Sequence, residues 1–308
     1  MIYSSIRLFI ITIIGILMCF CSDQKNPNSH IDETLYSTSD STLELAWELS
    51  SYNFGGLEEL SVSKQVSILR DYNYDGIILR AAKDHNFEDL PDFLQEADKY
   101  EDFKIHSAFV RYNFDDEDKK ERWTEVVDQI AGKSIQLWVI FGKKIPGFDD
   151  DFISSKLNEI VTYASSKHVH VVLYPHSSTY FESIEEGLPF LIPHDKDDLS
   201  IAFHLYHEIR AGNGHRIHKV LDIARERLGA VTLAGSDSVA DYTNSSTRDT
   251  STIKPIGKGT YDLKGLLKNL KQINYAGPIG IMNFSIKEDP NVYLPKSKEL
   301  LDDYLQRD

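Results

Sequence analysis

From residue 43 onward, short apolar runs alternate along the chain with longer amphipathic stretches. Short runs rich in β-branched residues are typical of buried strands, and apolar residues spaced three or four apart are typical of helices. The predicted strands are 43–49, 76–81, 104–112, 135–142, 170–175, 199–205, 230–235 and 277–284. The predicted helices are 60–72, 88–100, 118–132, 150–167, 180–191, 216–229, 262–274 and 295–308.

This strict alternation of strand and helix predicts parallel strands joined by right-handed crossovers. Eight such units within residues 43–308 fit a single α/β domain, a closed (β/α)₈ TIM barrel. No strand is followed by a glycine-rich phosphate loop, which disfavours a dinucleotide-binding fold. In a barrel of this kind the active site lies at the carboxyl ends of the strands.

The N-terminal segment predicts export rather than part of the barrel. The apolar run 8–18 is short for a membrane span and has the length of a signal-peptide core. Cys19 and Cys21 follow it, and the arrangement resembles a bacterial lipoprotein signal with Cys21 as the lipidated residue. An ordinary cleaved signal or an uncleaved anchor is the alternative. We predict a signal in 1–21, a flexible polar tether in 22–42, and a location in the cell envelope, on the periplasmic or outer-membrane face.

Composition narrows the set of partners. The chain of 308 residues carries a formal net charge of −15, which disfavours nucleic acid and anionic membrane surfaces as partners. Membrane contact is expected only through the lipid anchor. Both cysteines of the chain lie in the predicted signal, so the predicted barrel has neither a disulfide nor a thiol nucleophile.

Polar residues at or just beyond the predicted strand ends are the candidates for an active site. They are Glu48, Arg80, Arg111, His176, His204, His207, Asp237 and Asn283. Histidines are suited to general acid–base catalysis because the unperturbed pKa of imidazole lies near neutrality. A cluster of three histidines at the barrel mouth therefore points to proton transfer.

The C-terminal part of the chain carries a family resemblance. In the segment 253–282, Gly257, Gly259 and Asp262 form a Gly-x-Gly-x-x-Asp run, followed by a predicted helix and a strand that opens with Gly-Pro. This pattern resembles the last two units of the sugar phosphate isomerase/epimerase family, the xylose isomerase-like TIM barrels of the AP endonuclease family 2 superfamily. Residues 71–80 resemble the second strand of that family. The resemblance implies isomerisation or epimerisation of a sugar by proton abstraction next to a carbonyl.

The resemblance also implies a divalent metal held by four ligands at strand ends. The corresponding positions here are Tyr174, His204, Ala234 and Met282. Alanine and methionine offer no hard oxygen ligand for such a metal, so we expect the usual metal site to be lost. A rearranged site on His176, His204 and His207, suited to Zn²⁺ or Co²⁺, is the alternative.

Without a metal, the histidines are the residues predicted to carry out catalysis. His176 and His207 are the expected acid and base, and His207 keeps a position that the resemblance assigns to substrate contact. His204 and Asp237 are expected to orient them or to bind sugar hydroxyls.

The remaining polar candidates are expected to bind the substrate. Arg80, Arg111 and Lys258 are candidates for stabilising the negative charge that develops on the carbonyl oxygen. Glu48 is expected to bind the substrate and is an alternative base.

Two functions stay open at this stage. The first is an enzyme, an isomerase, an epimerase or a related lyase, that acts on a sugar or an oxidised sugar. The second is a catalytically silent, lipid-anchored barrel that binds a small-molecule carbohydrate. Export favours an unphosphorylated sugar in either case, and the acidic net charge disfavours an abasic-site endonuclease.

Overall fold

The computed structural model describes residues 47–81, 87–114, 122–238 and 253–306. The predicted signal in 1–21, including Cys21, and the predicted tether in 22–42 lie outside the described residues. Over the described residues, no helix combines the length and the apolar character that crossing a membrane requires.

Eight parallel strands close into a barrel in chain order, and β1 completes the circle by pairing with β8 through Leu49 and Ile279. The predicted α/β class and (β/α)₈ barrel are confirmed. The strands are β1 Leu49–Tyr52, β2 Gly76–Arg80, β3 Lys104–Tyr112, β4 Gln136–Phe141, β5 Val171–Leu173, β6 Leu199–His204, β7 Leu228–Leu233 and β8 Ile279–Ile281.

Helices follow the strands on the outside of the barrel. In the described part of the chain they are α1 Val62–Asp71, α2 Leu90–Ala97, α3 Arg122–Ile130, α4 Asp150–Ser166, α5 Ile184–Leu191, α6 Leu205–Arg210, α7 Ile217–Ala224, α8 Leu263–Gln272 and α9 Pro290–Gln306. Eight of them overlap the predicted helices. The short α6 was not predicted, and it starts at the residue directly after β6.

The prediction for the first strand, 43–49, is wrong in its bounds, because β1 runs from Leu49 to Tyr52. Ser50 and Ser51 are fully buried within it and pair with β2 and β8. Two small polar residues fit the crowded barrel wall, but they interrupt the apolar pattern on which the prediction depended. The shift places Glu48 before the strand instead of at its carboxyl end.

An aromatic floor closes the barrel beneath its carboxyl end; it consists of Tyr52, Phe109, Trp138 and Tyr174. The ring centroids of Tyr52 and Trp138 are 6.2 Å apart, and those of Trp138 and Tyr174 are 5.5 Å apart in an edge-on arrangement. Such edge-to-face pairs stabilise a core beyond the area that they bury. The floor is therefore a rigid base for whatever lies above it.

Alanine substitutions at two phenylalanines, one buried and one exposed, test which residues belong to the core. Phe203 is fully buried on β6, whereas Phe284 after β8 is 44% exposed. Phe203→Ala should lower the free energy of unfolding by about 3–5 kcal/mol because it leaves a cavity between strand and helix. Phe284→Ala should lower it by less than about 1 kcal/mol. Denaturant titrations measure both values, and equal losses would contradict this assignment of the core.

Candidate functional site

A cavity of about 380 Å³ opens at the carboxyl ends of the strands. His176, His204 and His207 line it together with four cationic side chains, those of Arg80, Arg111, Lys143 and Arg210. Aromatic rings complete the wall, among them Phe54, Phe109, Tyr174, Tyr206 and Phe284. The structure thus brings together five of the predicted site residues: the three histidines, Arg80 and Arg111.

The three histidines form one cluster because α6 begins where β6 ends. His204 is the last residue of β6, and His207 lies in α6, so the helix carries His207 back over the strand end. His176 approaches from the connection after β5. The ring centroids of His176 and His207 are 4.0 Å apart, and those of His204 and His207 are 4.3 Å apart.

The backbone of Ser177 assigns a different tautomer to each of two histidines. Its N–H donates to Nδ1 of His207 at 3.2 Å, and its Oγ lies 2.9 Å from the same nitrogen. Its carbonyl oxygen lies 2.9 Å from Nδ1 of His176. Because an N–H only donates and a carbonyl only accepts, His207 carries its proton on Nε2 and His176 carries its proton on Nδ1. Nη2 of Arg111 would favour the other tautomer of His176, but it lies 3.4 Å from Nδ1, and the 2.9 Å contact with the Ser177 carbonyl is the stronger one. His176 is therefore left with a lone pair on Nε2, and His207 with an Nε2–H.

All three imidazoles are held neutral. The pKa of His176 is lowered to about 4, chiefly by burial and next by the charge of Arg111; Arg210 and Arg80 contribute in the same direction, and the Ser177 carbonyl opposes them. Burial is also the main reason that the pKa values of His204 and His207 lie well below 6.5. At neutral pH the cluster therefore contains no imidazolium.

His204 is held by packing alone. Its ring stacks on that of Tyr174, with centroids 5.7 Å apart and planes 11° apart. Both ring nitrogens are buried, and neither has a hydrogen-bond partner in the described part of the chain. An unsatisfied buried polar group costs about 1–3 kcal/mol, so this pair of nitrogens calls for a ligand or water partner.

The charge of the cavity wall is opposite to that of the chain. Four cationic side chains line the cavity, and none of the described lining residues is Asp or Glu. Arg111 is half-buried, and its Nη2 lies 3.4 Å from Nδ1 of His176, on the side that the Ser177 carbonyl already occupies. Burial lowers the pKa of Arg111. The cavity is therefore electropositive.

Glu48 does not reach this cavity, and its predicted place at the barrel mouth is wrong. It precedes β1 at the amino end of the barrel, where its carboxylate forms an ion pair with Lys104 and lies 2.9 Å from Nε2 of the buried His106, within hydrogen-bond distance. The misplacement follows directly from the misassigned first strand. In barrels of this class polar groups at the amino ends of strands serve stability.

Asp237 and Lys258 lie outside the cavity lining as well. Asp237 is bound by Nζ of Lys254 at 2.6 Å, and Lys258 forms an ion pair with Glu288. Their charges are thus satisfied by neighbouring side chains, and the expectation that both take part in substrate chemistry has no geometric support.

The remaining sequence motifs shape the backbone. Asn283 is buried, and its Nδ2 donates to the carbonyl oxygen of Tyr52 at 3.0 Å, which ties β8 to β1. Asp262 caps α8 by accepting the N–H of Gly265 at 2.9 Å. Gly257 and Gly259 have φ values of 85° and 96°, a left-handed conformation that glycine adopts without strain.

The four positions that the resemblance assigns to metal ligands do not fit a divalent ion. The hydroxyl of Tyr174 is buried 3.4 Å from that of Tyr52, and burial raises its pKa well above 10, so it is a neutral phenol. His204 supplies one nitrogen, and the buried Ala234 and Met282 supply no hard donor. Within the described ranges, no three His, Cys, Asp or Glu side chains form a group that could hold an ion, which also argues against the rearranged histidine site.

Sequence reasoning missed several residues that the structure brings to the cavity: Ser177, Lys143, Tyr206 and Arg210. One signal could have identified Arg210. It follows His207 by three residues, the spacing that places two side chains on one helix face. That signal required the prediction of α6, which is only six residues long.

Comparisons with known proteins place the fold. The profile of the xylose isomerase-like TIM barrel family matches residues 66–304. No curated protein sequence matches the chain.

Several solved structures share the architecture at low identity. A 3-keto-D-glucoside 4-epimerase from E. coli has a TM-score of 0.63 at 15% identity, over 84% of this chain and 100% of that chain. A D-allulose 3-epimerase from Methylomonas sp. has a TM-score of 0.62 at 18% identity, over 84% and 98%. A probable 3-DHS dehydratase from Bacillus anthracis has a TM-score of 0.66 at 11% identity, over 85% and 100%. At these identities the likeness shows the fold.

The neutral histidines predict how stability depends on pH. As the pH falls below about 6.5, the unfolded chain protonates histidines that the folded chain keeps neutral. The unfolded state then binds more protons, so the free energy of unfolding should fall as the pH falls toward about 4, by about 1.4 kcal/mol per pH unit for each such histidine.

His204→Phe tests this directly because it removes one of these groups and keeps a ring on Tyr174. We expect the slope of the unfolding free energy between about pH 6 and about pH 5 to decrease by about 1.4 kcal/mol per pH unit. Urea titrations at several pH values measure it, with His218→Phe on the exposed side of α7 as the matched control. Equal slopes in wild type and His204→Phe would contradict a buried neutral imidazole.

Proposed function

Because the chain belongs to the xylose isomerase-like TIM barrel family, we propose that it is a sugar isomerase- or epimerase-like enzyme, or a related lyase. It removes a proton from a carbon next to a carbonyl of a sugar or an oxidised sugar. His176 and His207 transfer the protons, and the step needs no metal at the four family positions. The carbohydrate class is supported by solved structures of the same fold that are described as sugar epimerases.

The observation that carries this proposal is the pair of opposite tautomers at the cavity. Proton abstraction and polarisation of a carbonyl need an acceptor and a donor side by side. His176 offers the lone pair on Nε2, and His207 offers the Nε2–H, with ring centroids 4.0 Å apart. Neither ring must exchange protons with water before the first step.

The proposed step balances within the cavity. Nε2 of His176 takes the proton from the carbon, and the electrons of the C–H bond form the C–C double bond of an enediolate. The carbonyl oxygen gains the negative charge and accepts a hydrogen bond from Nε2–H of His207. Return of a proton to the adjacent carbon, or to the other face of the same carbon, completes isomerisation or epimerisation.

Arg111 is placed to stabilise the enediolate. Its guanidinium is half-buried beside His176, and preorganised cations in a water-poor site stabilise developing oxyanions more strongly than water does. Arg80 lines the same wall. Together they supply the positive charge that a metal supplies elsewhere in the family.

The size and the wall of the cavity suit a monosaccharide. Its volume of about 380 Å³ lies within the range of small-molecule sites, about 300–1,000 Å³. Phe54 and Phe284 meet edge to face at 5.5 Å and give the apolar face of a sugar ring a surface to pack on. We also propose that the chain is exported and lipid-anchored through Cys21, on the strength of its N-terminal sequence.

Deuterium exchange from solvent tests the proton-transfer step. Wild-type protein in D₂O should incorporate deuterium next to the carbonyl of its substrate, detected by NMR over a panel of ketohexoses and hexuronates. His176→Gln and His207→Gln should each reduce the rate by about 10²-fold or more, because each removes a group that transfers or stabilises a proton. His218→Gln, on the exposed side of α7, is the control and should exchange at the wild-type rate.

One alternative is favoured by a specific observation. Ala234 and Met282 replace two family ligands, which suits a silent barrel that only binds carbohydrate. In that case a sugar of the panel would bind to wild type, and no deuterium would enter it. That result would contradict the enzyme proposal and leave the binding function.

A further inference from the structure

The cavity concentrates positive charge in an acidic protein. The chain has 33 Lys and Arg against 48 Asp and Glu, yet four cationic side chains and none of the acidic ones line the cavity in the described ranges. The catalytic proposal above uses Arg111 and Arg80. Arg210 and Lys143 have no part in it, and their presence requires a separate explanation.

Arg210 is fixed next to the histidine pair. It ends α6, one helical turn after His207, and its charge is among those that lower the pKa of His207. Its Nη1 donates to the hydroxyl of Tyr206 at 2.7 Å, and its guanidinium carbon lies 5.3 Å from the centroid of that ring. Its Nε is buried and has no hydrogen-bond partner among the described residues. The side chain is thus positioned by a neutral neighbour and not by a carboxylate.

Arg111 approaches His176 from β3 and has no ion pair within the described part of the chain. Two arginines on the surface of the barrel do form ion pairs. Arg70 is paired with Asp102 at 3.0 Å, and Arg216 is paired with Glu185. These two surface arginines have acidic partners, whereas Arg111 and Arg210 are partly buried and have none among the described residues. A desolvated charge without a counter-charge is costly, which indicates that the counter-charge comes from a ligand.

We propose that Arg111 and Arg210 bind the carboxylate of a sugar acid, with Lys143 attracting the anion from the rim of the cavity. Guanidinium groups suit this role because their planar donors match the two oxygens of a carboxylate. A carboxylate is favoured over a phosphate because none of the described lining residues is a glycine, so no glycine-rich loop, the usual phosphate cradle, faces the cavity. The inference that the ligand is a sugar rests on the proposed function, whereas the inference that it carries a negative charge rests on the cavity cations alone.

Such a ligand would also strengthen the base. Arg111 and Arg210 both lower the pKa of His176 in the free protein. A carboxylate held between them offsets their charges, so its binding raises the pKa of His176 toward neutrality. A sugar acid would then meet a stronger base than a neutral sugar would.

Calorimetric titration tests the anion site without relying on turnover. D-glucuronate and D-galacturonate are compared with D-glucose and D-galactose, which replace the carboxylate by a neutral hydroxymethyl group. The titrations use wild type and His176→Gln, so a failure of the catalytic proposal leaves this test intact. At least one sugar acid should bind about tenfold or more tightly than its neutral partner in both proteins, and added salt should weaken the binding.

Variants of the two arginines test whether they cause the preference for the sugar acid. Arg210→Gln and Arg111→Gln should each weaken binding of the sugar acid by about tenfold or more, and Arg210→Gln should leave that of the neutral sugar unchanged. Arg225→Gln removes the same charge from the surface and is the matched control. The temperature of thermal unfolding without ligand should be unchanged or raised in Arg210→Gln and Arg111→Gln, because the contacts of each guanidinium in the described part of the chain include no carboxylate.

Three outcomes would overturn the proposal. The first is equal affinity for the acid and the neutral sugar, or no binding of either acid. The second is preferential binding of D-glucose 6-phosphate, which would assign the cations to a phosphate. The third is a lower unfolding temperature in both arginine variants with unchanged affinity, which would make the arginines structural.

Discussion

The backbone of one residue, Ser177, sets the chemistry of the cavity. The N–H of Ser177 occupies Nδ1 of His207, and its carbonyl oxygen occupies Nδ1 of His176. A backbone group cannot exchange its donor for its acceptor, so the two rings are fixed in opposite tautomers for as long as the connection after β5 keeps its place. The rest of the site follows from this constraint: α6 must start directly after β6 to bring His207 within reach.

Electrostatics and packing act together on the same rings. Burial against the aromatic floor lowers the pKa of His204 and of His207 and keeps both rings neutral, and the charges of Arg210 and Arg111 add to that effect at His207. A neutral imidazole is needed for either proton role, but a strongly lowered pKa makes His176 a weak base. A bound anionic ligand would offset the charges of the arginines and raise the pKa of His176. The ring would then become a stronger base only while the substrate is bound.

Most of the fold was accessible from the sequence, and much of the site was not. The run 104–112 predicted β3 with both of its ends, because most of its residues are buried in the strand and only Lys104 is exposed. The bounds of β1 were predicted wrongly because Ser50 and Ser51 interrupt its apolar pattern. Their burial depends on contacts with neighbouring strands, which a local sequence pattern does not show. Glu48 was misplaced for that reason. Arg210 was missed because its position depends on α6, a helix too short to give a periodic signal.

The tautomers are the most direct test of this account. Two-dimensional ¹⁵N NMR of histidine-labelled protein reports which ring nitrogen carries the proton. At neutral pH we predict a proton on Nδ1 of His176 and on Nε2 of His207, with neither ring charged; assignment uses the variants His176→Gln and His207→Gln. The same tautomer in both rings, or an imidazolium at either position, would contradict the proposed division of roles.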